Sequence, residues 1–163
     1  MSKARNTDKR APDKVPTEAD WGDYRADLDA KSAHDQFVGR TNEGMQRYIR
    51  GAPLGAAEDL HFMPELPFRY YILGYRDYVM AGNFIKYDAP NAASAFIGLV
   101  LHKLEEQPRY IVPVMPELLS AVEHVTRNQA AFGADESIYG NFTEMLKRIQ
   151  VLYEEVKARY RRL

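Results

Sequence analysis

Apolar positions recur at helical spacing through most of this chain, and no stretch sustains the alternation of a half-buried strand. The clearest run comes last. Ile138, Phe142, Met145, Ile149, Leu152, Val156, Tyr160 and Leu163 follow one another by steps of three and four, which predicts one long helix over 135–162. Upstream, breakers and capping residues divide the pattern. A first helix is predicted over 17–36, with Glu18 and Asp20 in its first turn, a stripe of Trp21, Tyr24 and Leu28, and Gly39 as its stop. A shorter one over 42–50 carries Met45, Tyr48 and Ile49 on one side.

The segment GAPLGAAEDLHFMP, 51–64, then reads as a connector with room for a helical turn at Ala56–Leu60. Further helices are predicted over 65–82, ended by Gly82 and Asn83, and over 89–107, with Asp88 as cap and Pro90 in the first turn. Another runs over 116–132 and is closed by Gly133. Between these two, the prolines at 108, 113 and 116 make RYIVPV an extended linker. The tetrapeptide MPEL occurs at 63–66 and 115–118, but the residues after it differ, so it marks two similar helix starts rather than a duplication.

These elements predict an all-α fold of about six helices, with a four-helix core bundle over 65–162 and a long C-terminal helix. Residues 18–163 are expected to form a single helical domain, and residues 1–17, polar and proline-containing, a disordered basic tail. The core is expected to hold Phe68, Ile72, Val79, Phe96, Ile97, Val100, Leu104, Leu118, Val122, Val125, Phe142, Leu146, Ile149 and Tyr153. The last helix is long enough either to pack along its own domain or to project and pair with a second copy, as a homodimer.

The most informative stretch is FRYYILGYRDYVMAGNF, 68–84, which sets four tyrosines, two arginines and an aspartate in a segment otherwise built like core. On a helix, Phe68, Ile72, Tyr75 and Val79 share a face with Tyr71 and Tyr78 at its edge, and Leu73 and Met80 form a second strip. Arg69 and Arg76 fall between the strips, and only Tyr70 and Asp77 point outward. Such a helix sits at the centre of its fold. Gly74 marks close approach by a neighbouring backbone, the following helix being the expected neighbour. Buried tyrosines and arginines need partners. Either they form a hydrogen-bonded core network, with Asp77, Glu58 or Asp59 as the acids, or they line a cleft for an anionic ligand or an acidic partner.

Composition narrows the chemistry. There is no cysteine, so disulfides, thiolate catalysis and cysteine-bound zinc are excluded. No run reaches the ~18 apolar residues of a membrane span, and the amino terminus has no apolar signal core, so a cytoplasmic location without membrane contact is expected. The net charge of −1 hides basic ends on an acidic body. The acidic segment 18–35 is expected beside the basic end of the last helix, and nucleic acid is disfavoured because aromatics are not interleaved with the tail's basic residues. Glu58 and His61 have the spacing of one half of a di-iron site, but no second such pair exists, so no metal or other cofactor is expected. No nucleophile elbow, phosphate loop or helix-turn-helix of ordinary length is present.

What remains is binding. The first expectation is a protein that acts on another protein, as an inhibitor, an immunity-type neutraliser or an adaptor, through Arg69, Tyr70, Tyr75, Arg76, Asp77 and His61. The alternative is a small-molecule binder or enzyme using a cleft beside Arg69, Arg76, Tyr75 and His61. No catalytic residue is assigned in either.

Overall fold

The computed structural model describes residues 14–161, and all regular structure among them is helical. The helices are α1 (Leu28–Phe37), α2 (Gln46–Gly51), α3 (Pro53–His61), α4 (Glu65–Ala81), α5 (Asp88–Glu106), α6 (Pro108–Ile111), α7 (Met115–Arg127), α8 (Glu136–Tyr139) and α9 (Phe142–Tyr160). Short 3-10 turns add Glu18–Trp21, Tyr24–Ala26 and Val112–Val114. Residues 1–13 of the expected tail, and Leu163 of the last stripe, lie outside the described residues. Pro16 is buried and Val15 packs on the core.

The path is more divided than the periodicity implied, and the breaks have local causes. Gly22 takes a left-handed backbone (φ 58°), which a continuous helix cannot pass. The expected helix 17–36 therefore begins only at Leu28, where the Asp27 carboxylate accepts from the N–H groups of Asp29 and Ala30 at 2.8 and 3.1 Å. Trp21 and Tyr24 are buried as expected, but Leu28 is 83% exposed. Gly140 (φ 81°) likewise cuts the expected last helix into α8 and α9, and Asn141 caps the second piece. Ile138, ahead of that break, is 73% exposed instead of in the stripe.

The prolines at 108, 113 and 116 do not stretch the chain. Each stands in the first turn of a helical piece, where its missing N–H is not needed. Pro53 starts α3 in the same way, so the expected connector is a helix that buries Ala56, Ala57 and Leu60. Asp88 is the first residue of α5 rather than its cap, a position held by Tyr87.

Helices α4 and α5 occupy the centre. α4 contacts α2, α3, α5, α6 and α7, while α5 contacts α3, α4, α6, α7 and α9. Every core residue expected from the sequence is buried, joined by Trp21, Phe37, Ile49, Leu60, Ile111 and Val114. Among the described residues, the acidic segment 18–35 makes no ion pair with the last helix. Its ion pairs are local: Glu18 with Arg25 and His34, and Asp35 with Lys31 and His34.

Gly74 admits a side chain rather than the backbone of α5. A Cβ there would lie 2.8 Å from Cγ of Asn42. Asn42 has little freedom to retreat, because its Nδ2 donates to the Tyr70 carbonyl at 2.8 Å and its backbone N–H to the Tyr70 hydroxyl at 3.2 Å. Gly74→Ala should therefore lower stability by about 1–3 kcal/mol despite alanine's better helix propensity. In an Asn42→Gly background the sign should reverse, because the Cβ of residue 42, 3.1 Å from the new methyl, is then removed with the amide and the propensity gain of about 1 kcal/mol remains. Urea unfolding of the four variants in the cycle checks this.

Candidate functional site

The polar residues of α4 do not converge on one cleft. Arg69 is 3% exposed; its Nη2 donates to the Glu65 carboxylate at 2.7 Å and to the Arg109 carbonyl at 2.6 Å, and its Nε to the Tyr110 carbonyl at 3.1 Å. Tyr75 is fully buried and donates to the Pro53 carbonyl at 2.9 Å. Tyr70, expected to point outward, is buried against Asn42. Tyr71 lies 2.7 Å from the carbonyls of both Phe37 and Arg40, the acceptors for its one proton. Arg76 and Asp77 stay near the surface, paired with each other at 2.8 Å, and Arg76 Nη1 also donates to the Glu117 carbonyl at 3.0 Å. Asp59 takes neither arginine; it accepts from the Tyr48 hydroxyl at 2.7 Å.

Of the expected set, His61 faces an open cleft. The cleft measures about 650 Å³ and lies between the 3-10 turns near Trp21–Asp27 and the C-terminal ends of α3 and α5. Its walls include Tyr24, His61, Phe62, His102 and Tyr110, with carboxylates at Asp23, Asp27 and Glu106. The His61 and His102 rings stand 4.6 Å apart between centroids.

Behind this wall is a group that the sequence reading passed over. Lys103 has no exposed surface. Its ammonium donates to the His61 carbonyl at 2.9 Å and to the Gln107 side chain, and lies 4.9 Å from the ring centroids of both Phe68 and Tyr110. The His61 carbonyl belongs to the last residue of α3, which has no partner within the helix and lies at the negative end of its dipole. Two ring faces and two oxygens hold the cation, and no carboxylate pairs with it among the described residues. Burial accordingly pushes the Lys103 pKa down to about 8. Burial, then the neighbouring Lys103 charge and His102, holds His61 below the ordinary imidazole range. The available signal in the sequence was a lysine set between Val100 and Leu104 of an apolar helix, four residues before Gln107.

The arrangement offers a ligand two imidazoles and aromatic walls, while Lys103 itself is out of reach. Among the described residues no three histidine, aspartate or glutamate side chains come together as a metal site, and no helix is long and apolar enough to cross a membrane.

A buried lysine with a depressed pKa makes stability depend on pH in an unusual direction. Between about 8 and the unfolded value near 10.5 the unfolded chain holds a proton that the folded chain has released, so stability rises with pH. The slope should approach about 1.4 kcal/mol per unit, until the buried tyrosines, whose pKa values are raised, oppose it above about pH 10. Lys103→Met should remove this rise while retaining the fold. Urea midpoints of both proteins across the window measure it.

Compared with known proteins, the chain matches no protein-family model, no curated protein and no solved structure.

Proposed function

We propose that this protein acts by binding another protein, in the manner of an inhibitor, an immunity-type neutraliser or an adaptor, through the end of the fold made by the α4–α5 turn and α8. The observation that carries the reading is Tyr87. It holds a left-handed backbone (φ 65°) and is 88% exposed. That conformation costs a non-glycine residue roughly 1–2 kcal/mol, and the ring recovers nothing from its own fold. Met80 and Ile85 are exposed beside the same turn.

α8 brings Ile138 to this end. The Tyr139 hydroxyl donates to Asn91 of α5 at 2.8 Å, and Phe84 of the turn packs on Phe132 with centroids 6.0 Å apart. Exposed aromatic and aliphatic side chains gathered at one end are the composition of an interface. The reading takes the protein as cytoplasmic, and its body as one domain with α4, α5, α7 and α9 as the core bundle. Self-association through α9 has less to support it: Phe142, Leu146, Ile149, Tyr153 and Val156 are buried in its own core, which leaves Val151 outside.

A second reading, a small ligand held in the cleft of His61 and His102, is favoured by the cleft's volume of about 650 Å³, within the range of small-molecule sites.

A benzophenone amino acid at position 87, expressed in the host, should yield one discrete cross-linked species that is absent when the same group stands at Leu28. Equal adducts at both positions, or none at 87, would refute the binding surface. Tyr87→Gly should bind no partner yet gain up to about 1 kcal/mol of stability, because glycine accepts the left-handed backbone freely. Thermal unfolding of the variant checks the second half.

A further inference from the structure

Resting on the protein-binding reading, we infer that the partner presents a carboxylate beside an apolar group, and that a notch between Arg47, Arg50 and Tyr78 takes it. The notch, about 320 Å³, is lined by Gln46, Arg47, Arg50, Tyr78, Ala81 and Asn83. It adjoins the binding end, since Arg50 Nε donates to the Asn83 carbonyl at 2.9 Å and Phe84 packs on Tyr78 with centroids 5.3 Å apart.

Three features point to an anion of this kind. Arg47 and Arg50 are three residues apart on α2, so they stand on one side of it. Apart from the bond to Asn83, neither guanidinium has a hydrogen-bond or ion-pair partner among the described residues. Tyr78 is 2% exposed, and its buried hydroxyl has no hydrogen-bond partner among them. The contrast within α4 is direct: Tyr75, 5.6 Å away between centroids, has its acceptor in Pro53. An unpaired buried donor is costly and needs an acceptor.

The hydroxyl is a donor at neutral pH. Burial, with Asp88 nearby, holds its pKa up to about 12. Two guanidiniums and one hydroxyl suit a single carboxylate, and Ala81 with the tyrosine ring gives it an apolar floor.

The probe is N-acetyl-leucine, with N-acetyl-leucinamide as its neutral counterpart, titrated into the full chain labelled at tyrosine rings and arginine side chains. NMR should show saturable shifts of Tyr78, Arg47 and Arg50 with the acid and none with the amide. Affinity should fall at least about tenfold in Arg47→Gln/Arg50→Gln, several-fold in Tyr78→Phe, and stay unchanged in Arg40→Gln. Tyr78→Phe should fold at least as stably, since it removes an unpaired group. Equal shifts with the amide, or a Tyr78 signal that no concentration of acid moves, would overturn the inference. So would inorganic phosphate reproducing the whole pattern.

The cross-link at position 87 separates this inference from the reading it rests on. Loss of the adduct in Arg47→Gln/Arg50→Gln supports a partner's carboxylate. Its full persistence overturns that occupant and leaves the binding surface standing. No adduct in the otherwise unaltered chain overturns the reading and the partner's carboxylate together, and a positive titration then assigns the notch to a free carboxylate.

Discussion

The fold depends on how the open carbonyls of its short helices are satisfied. The C-terminal end of each helix leaves about four carbonyls without a partner in the helix, and a chain divided this often buries several such ends. The polar tips on the two central helices meet them. Tyr71 of α4 reaches Phe37, the last residue of α1, and Arg40 just beyond it. Arg69 reaches Arg109 and Tyr110 in α6, a piece too short to satisfy its own carbonyls. Lys103 of α5 reaches His61, the last residue of α3. A neutral bond of this kind is worth about 1 kcal/mol net and a charged one about 1.5–3, but stranding a buried partner costs more. The tyrosines and arginines inside α4 are therefore what allows a broken chain to pack around it.

This accounting separates structure from function. The residues that most resemble a binding set, Arg69, Tyr70 and Tyr75, are buried and bonded within the fold. The candidates for function are the groups whose state the fold does not explain. Tyr87 is strained and exposed, Tyr78 has a hydroxyl without an acceptor among the described residues, and Arg47 and Arg50 stand beside it. Tyr75 and Tyr78 belong to one helix, yet they fall on opposite sides of this division.

Much of the fold was legible because its signals are local. The span of α4, its glycine stop and the buried faces of α4, α5, α7 and α9 follow from period and punctuation alone. The breaks at Gly22 and Gly140 were not legible, because apolar spacing continues through both: Leu28 and Ile138 keep the right interval but lie across a change of direction. Prolines misled for a related reason, since the residue that ends one helix also suits the first turn of the next. The site was harder still. Arg69 and Arg76, seven residues apart on one helix, are separated by about 10 Å of rise. Each has a local acid, Glu65 and Asp77, but the carbonyls they also bond come from α6 and α7, distant segments that no local pattern identifies.

The two buried cations show two solutions with different consequences. Arg69 keeps a carboxylate, Glu65, within 2.7 Å and a charge that it cannot lose, so the α4–α6 joint is fixed at any ordinary pH. Lys103 has oxygens and ring faces but no carboxylate among the described residues, and its proton is correspondingly weakly held. The carbonyl it holds belongs to His61, whose ring lines the cleft and whose basicity the same ammonium lowers. Protonation of His61 would thus act against the Lys103 charge, whereas neutral Lys103 keeps two N–H groups for the His61 carbonyl and Gln107. The α3–α5 junction is therefore a joint of this fold that responds to charge, and it also forms one wall of the cleft that His61 faces.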